Sequence, residues 1–309
     1  MSEIRNEEYG YAEVPIPKKT RFWILVCFNI PAFICAVFLL FNLLFKRTLR
    51  KELHNPVIIL ILCLTIAIQL IDVNFYILFA EFGRVWLSAP FFCNLWSFVA
   101  VGLYDLIAML LTWAAIERHL LIFHSLLLHT QKKRFIFHYL PLFIVIIYNL
   151  SAHIYLIFFP PCETFYDYTQ PWCGFPCYFS EPSLGSYDAV ANYFLPISLI
   201  IIFNFALVVR YIRRKRRVNL GFQWRKHRRM ILQLLSISLL VLIFFVPMVS
   251  LFFAHANGLP AEIGENAQLY LYFFNYFVVF LLPFVCLASF PDIIKQTYKY
   301  CRSIYTNSL

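Results

Sequence analysis

The sequence predicts an all-α fold, a bundle of seven transmembrane helices, and three observations predict it. Hydrophobic residues make up 61% and charged residues only 14% of the 309-residue chain, against about 25% charge in ordinary soluble chains. Seven segments, at about 22–45, 56–80, 89–123, 135–159, 187–209, 230–254 and 267–290, are apolar and long enough to cross a hydrocarbon core, which needs about 20 residues per helix. The basic residues also collect on alternate connections: 46–51, 132–134, 210–229 and 295–302 hold 20 of the 26 Lys and Arg. That asymmetry makes those stretches cytoplasmic and sets the N-terminus outside.

The elements follow in order. Segment 1–21 is polar and acidic, does not read as a signal peptide, and is assigned to the extracellular side, so helix 1 is expected to direct its own insertion. Lys18, Lys19 and Arg21 oppose that orientation and are outvoted by the downstream loops. The connections on the outer face after helix 1 carry one base, Arg84, against Glu81, Glu163, Asp167, Glu181, Asp188, Glu262 and Glu265. Residues 22–290 form the membrane domain, without an internal repeat, and 291–309 form a short, basic, helix-like tail on the cytoplasmic side. The net charge of +10 is therefore a matter of topology and of the run Arg210–Arg217, which can meet anionic membrane lipid or an acidic partner. Nucleic acid is excluded as a partner, because no recognisable nucleic-acid fold accompanies a run that borders a membrane helix.

Cysteines divide by location. Cys27, Cys35, Cys63 and Cys286 fall within helices and read as small packing residues. Cys93, at the start of helix 3, and Cys162, Cys173 and Cys177, in the 160–186 loop, face an oxidising compartment and can form two disulfides in three connectivities. The preferred pairing is Cys93 with Cys177 and Cys162 with Cys173; Cys173 is the alternative partner of Cys93. Either way the aromatic-rich loop is held over the bundle as a lid. Cys301, just past helix 7 in a basic stretch, suits reversible palmitoylation. Pro196, Pro247 and Pro283 sit inside helices 5, 6 and 7, where each removes a backbone hydrogen bond and provides a hinge.

Few charges lie within the spans. Asp72, Asp105 and the adjacent Glu117 and Arg118 are expected to face the bundle interior, since an uncompensated charge in mid-bilayer costs about 2.5–3.5 kcal/mol. Asp72 and Asp105 reach similar depth and are expected to line one polar cavity; Glu117 and Arg118 are expected to partner each other at the inner mouth, with His119 filling space. His119, His124 and His129 recur every five residues, so successive rings point about 140° apart on a helix and make no metal site. No paired acids or nucleophile–base arrangement is present, so neither an enzyme nor a metal or cofactor is expected.

The pattern resembles the rhodopsin-like (class A) family of G protein-coupled receptors over essentially the whole chain. Cys93 opens helix 3 and Glu117-Arg118-His119 closes it, the Arg 25 positions after the Cys, as in the family's acid–Arg–Tyr motif. Asn42 looks like the helix 1 asparagine, Pro196 like the helix 5 proline, and the segment from Pro291 to Cys301, within 291–309, is similar to the family's short amphipathic eighth helix. Phe244-Phe245-Val246-Pro247 and Leu282-Pro283-Phe284-Val285-Cys286 keep only the prolines of the helix 6 and helix 7 motifs. The chain departs from the pattern at the helix 2 acid, which is missing near Ile68 or displaced to Asp72, and in lacking a helix 4 tryptophan. Asn204 stands about where a helix 5 tyrosine is usual, and no acid lies in 225–229 to lock Arg118.

The resemblance implies a divergent plasma-membrane receptor that passes the binding of an extracellular ligand, a peptide or small molecule, to a cytoplasmic heterotrimeric G protein. It implies coupling through Glu117, Arg118, His119, Arg213, Arg214 and Arg228, in a cleft that also suits arrestin. It implies a ligand pocket lined by Asp72, Trp96, Tyr104, Asp105, Phe245, Phe252, Tyr272 and Tyr276 and roofed by the 160–186 loop. Ala100, where amine receptors carry an aspartate, disfavours monoamines, and the absence of lysine from 267–290 excludes a retinal Schiff base. The rival reading is a seven-helix transporter or channel with Asp72 and Asp105 in an ion or solute path.

Overall fold

Seven long apolar helices cross the molecule, and we number them in chain order: α1 Lys18–Phe45, α2 Asn55–Phe82, α3 Pro90–Phe123, α4 Gln131–Phe158, α5 Pro182–Arg213, α6 Ile231–His255 and α7 Asn266–Ala288. The computed structural model describes residues 14–50, 52, 55–123, 130–217, 223–256, 259–260, 263–291, 293–296 and 299, of which 48, 214–217, 223–230, 256 and 265 are described by their backbone alone. A helix satisfies its own backbone polar groups, which hydrocarbon cannot do, so sequences this apolar have little alternative. α5 begins at Pro182, earlier than the hydropathy boundary near 187, because Pro182 suits the first helical turn, where its missing N–H has no partner to lose.

α3 runs through the middle of the bundle: 78% of its most apolar stretch is buried, against 28% for α4 and α5. Side chains from all seven helices meet in one apolar core, among them Leu39, Leu62, Leu110, Leu142, Ile200, Leu234 and Phe280. Cys35 and Cys286 pack inside as expected, whereas Cys27 and Cys63 lie exposed on the outer surface of the bundle.

Four spans contain a π-helical turn, at Gln69–Val73, Phe98–Leu103, Phe135–Tyr139 and Ala189–Phe194. Such turns are rare and gather at functional sites. Two of them stand just before Pro141 and Pro196, where a wider turn accommodates the ring and the missing N–H. Pro247 and Pro283 lie inside regular helix, as does Pro31 of α1.

The 160–186 loop is an ordered lid, but its cross-links correct the preferred pairing. Cys93 is joined to Cys173 and Cys162 to Cys177, with Cα–Cα distances of 5.6 and 6.0 Å. The chain turns at Pro171 and sets Cys173, buried, against the first turns of α3, where Ser97 Oγ donates to the Trp172 carbonyl at 3.4 Å. Tyr166 OH donates to Asn94 Oδ1 at 2.9 Å and the Val85 N–H to the Tyr168 carbonyl at 2.9 Å. Cys177 lies beyond that docking point, within reach of Cys162 at the start of the loop. Trp172 and Cys173 take φ of +56° and +58°, a left-handed conformation costly for bulky residues and sustained only where surroundings fix it.

Arg21 is turned into the bundle, with Nη1 donating to Tyr76 OH at 3.2 Å. One of the three bases that opposed the predicted orientation thus has a packing role of its own. After α7, residues 291, 293–296 and 299 are helical, with Ile293 buried and Ile294 and Lys295 exposed. The remainder of the predicted eighth helix and tail, Cys301 included, lies outside the described residues, as do the side chains of Arg214 and Arg228 and most of segment 1–21.

Candidate functional site

Asp72 is the floor of an aromatic cage at the lid end. It is buried on the π turn of α2, and its Oδ1 accepts from Trp96 Nε1 at 2.8 Å, Trp172 Nε1 at 3.1 Å and Tyr276 OH at 3.3 Å. A carboxylate supplied with several donors is tolerated where a bare one is not. The donors come from α3, the lid and α7, so this one side chain ties the lid to three helices. Tyr76 lies 5.1 Å from the Tyr276 ring and 5.8 Å from Trp172. Tyr272 joins through Trp172 at 6.2 Å and Phe252 through Tyr272 at 6.3 Å. Tyr104 is buried nearby, and Phe245 packs in the main core.

Asp105 does not share that cage, which corrects the expectation of one cavity lined by both acids. The π turn Phe98–Leu103 lies between it and Trp96, and the two side chains face different helices. Asp105 instead faces α4 and α5, where Oδ2 lies 3.0 Å from His153 Nε2. Asp188 Oδ1 is 3.9 Å from the same nitrogen. All three residues are fully buried. Asp188 Oδ1 also accepts from Asn192 Nδ2 at 2.6 Å, and His153 Nδ1 donates to the Asn149 carbonyl at 2.9 Å. Asp188, at the edge of the predicted span and counted with the outer connections, lies well inside α5, which starts at Pro182.

At the opposite end the adjacent charges do not partner each other. Successive helical residues point about 100° apart, and Glu117 turns toward α4, where Oε1 is 2.9 Å from His138 Nδ1. That approach is close but not aligned as a hydrogen bond. Arg118 is buried with Nε and Nη1 unmatched by any acceptor among the described residues. His119 does more than fill space: its Nε2 donates to the Phe203 carbonyl of α5 at 2.8 Å. Arg213 is exposed at the end of α5.

The free space at the lid end is small and lies apart from both acids. A crevice of about 10 Å³, near the minimum for one water, runs between the lid and the outer turns of α3 and α4, touching Asn94, Ser97, Leu156, Ile157 and Trp172. Residues predicted to line a pocket pack ring against ring, with the Trp172 indole among them.

A central α3 tethered by its first cysteine to a lid and ending in a buried arginine calls for comparison with known families. Residues 37–288 match the family described as 7 transmembrane receptor (rhodopsin family). The chain belongs to this family. No curated protein matches it. The receptor is accordingly a multipass protein of the plasma membrane and not an enzyme, and its family works with extracellular ligands and G proteins.

Several of the receptor's best-placed residues escaped sequence reasoning. Trp172 lies in the aromatic-rich loop without being singled out, Asp188 counts with the acids of the outer connections, and His138 draws no reading from the sequence. His153 carried a usable signal, a histidine four residues after Asn149 in an otherwise apolar span, but nothing in the sequence says which helix it faces.

Proposed function

We propose that the receptor transduces binding of an extracellular ligand beneath the 160–186 lid to a cytoplasmic heterotrimeric G protein. The observation that carries this reading is the contact of Trp172 with Asp72, which connects the lid directly to α2, α3 and α7. A ligand can shift the bundle only by favouring one arrangement over another, and displacing the Trp172 indole removes one of the donors that hold the closed one. α5, α6 and α7 then change tilt at Pro196, Pro247 and Pro283. The Arg118 guanidinium, buried with unmatched donors, becomes available to the G protein. Glu117, His119 and the basic ends of α5 and α6, including Arg213, Arg214 and Arg228, frame that contact.

The test is guanine-nucleotide exchange on a panel of purified G proteins, comparing wild type, Arg118→Ala and Trp172→Ala. Trp172→Ala is expected to raise basal exchange and Arg118→Ala to bring it to the level without receptor. Exchange equal to that baseline for wild type and Trp172→Ala on every G protein would overturn the reading.

A further inference from the structure

We propose that Asp105, His153 and Asp188 form a binding site for a divalent transition-metal ion of the zinc class, set between α3, α4 and α5. The inference does not depend on G protein coupling. One ligand atom from each of the three residues lies within 4.8 Å of the other two. Two ligands about 2.0–2.2 Å from a tetrahedral ion stand about 3.4 Å apart. The observed separations from His153 Nε2, 3.0 Å to Asp105 Oδ2 and 3.9 Å to Asp188 Oδ1, fall on either side of that value.

The hydrogen bonding of His153 prepares it as a ligand. A carbonyl can only accept, so the bond from Nδ1 to Asn149 O fixes a proton on Nδ1 and leaves Nε2 of the neutral ring with a lone pair aimed at two carboxylates. Metal-bound histidines characteristically give their second N–H to such a carbonyl. A lone pair 3.0 Å from one carboxyl oxygen and 3.9 Å from another calls for a proton or a metal ion between them. With both carboxyls ionised, a second proton on the ring leaves the buried trio at net −1, whereas a divalent ion with a neutral ring and two carboxylates brings it to zero, and unpaired buried charge is the costly case.

Two further observations point to a ligand. Asp105 Oδ1 and Asp188 Oδ2 are buried without a well-aligned hydrogen bond, the Tyr193 and Tyr178 hydroxyls only approaching the two carboxyls, an expensive condition for carboxylate oxygens. Gly102, on the π turn of α3, lies so close to His153 that a Cβ there would stand 3.1 Å from its Cβ and Cγ. The missing side chain lets the ring reach Asp105. Asn192, through its 2.6 Å bond to Asp188 Oδ1, orients that carboxylate. One imidazole nitrogen with two carboxylates suits zinc-class ions better than calcium or magnesium, which take oxygen ligands. It leaves a fourth position open.

Equilibrium dialysis of the detergent-purified full-length receptor against Zn²⁺, with metal quantified per receptor, tests the site. Wild type is expected to retain one ion that EDTA removes and that raises the melting temperature; His153→Gln and Asp188→Asn are each expected to lose it. Zinc retained equally by folded His153→Gln and Asp188→Asn, or none retained by wild type, would overturn the proposal. Should the variants fail to fold, X-ray absorption of zinc-loaded wild type decides: a shell of oxygen and one imidazole is expected, while any sulfur or a second imidazole overturns it.

Discussion

The two ends of the helical bundle are built on different principles. At the lid end, two disulfides and the three donors to Asp72 lock a loop onto α2, α3 and α7. At the basic end, the polar groups are as deeply buried but poorly matched. Arg118 has unmatched donors, both amide atoms of Asn204 lack partners, and Gln233 and Ser238 each have an unmet atom. Buried groups normally find partners, and unmatched atoms occur in the lid half too, at Asp105 Oδ1 and Asp188 Oδ2, so what sets the basic end apart is an unmatched guanidinium and the lack of a cross-link among the described residues. The difference teaches where change is cheap: the lid end is cross-linked, and the basic end is held by packing, the Glu117–His138 approach and single hydrogen bonds such as that from His119 to the Phe203 carbonyl.

The largest effect expected from breaking this contrast comes from the covalent tie. Cys93→Ser opens a link between residues 80 apart and Cys162→Ser one between residues 15 apart. Chain entropy puts the losses at about 4.5 and about 3 kcal/mol respectively, so thermal unfolding in detergent is expected to show a larger drop for Cys93→Ser.

Next is the Glu117–His138 contact. His138→Phe leaves a buried carboxylate alone, at a cost of roughly 3 kcal/mol. Because that cost falls on the closed arrangement, a lower melting temperature with raised basal nucleotide exchange is expected, whereas an unchanged melting temperature would show that charge does not hold this end.

Asp72→Leu removes the acceptor shared by Trp96, Trp172 and Tyr276, with about 1–3 kcal/mol lost for each donor left dry. Proteolysis within the lid is expected to quicken while the disulfides stay intact. A smaller change, about 1 kcal/mol, is expected for His119→Phe, which deletes only the bond to the Phe203 carbonyl; differential scanning fluorimetry resolves it.

The smallest effect concerns the exposed tip of the lid. The Thr169 hydroxyl and backbone N–H both donate to Asp167 Oδ1, at 2.6 and 2.9 Å, and hold its carboxyl below the usual carboxylate value. A depressed folded-state value gives stability that is present above the unfolded value, near pH 4, and lost as pH falls through the folded one. Thr169→Val is expected to raise the Asp167 midpoint in an NMR titration without measurable change in melting temperature at pH 7.

Composition and spacing were enough to read seven spans, the cysteine-tethered lid and the Arg118 end, because an apolar stretch of bilayer length has one viable backbone. The partner of each polar side chain was not legible. Asp72 and Asp105 look alike in sequence, yet one meets three ring donors and the other a histidine and an acid, since their facing depends on helix rotation and on π turns that hydropathy does not register. The cysteines show the same limit: four outward thiols allow three pairings, and the docking of Cys173 on α3 selected one.

The sequence by itself determined what must be helical and what must be in the membrane, through the cost of bare backbone and bare charge in hydrocarbon. Only the tertiary structure decided which helix each charge meets. Glu117 turns to His138 rather than Arg118, and Asp188 joins Asp105 across His153. Neighbours along a helix diverge by about 100°, while residues far apart in the chain converge wherever packing brings their faces together.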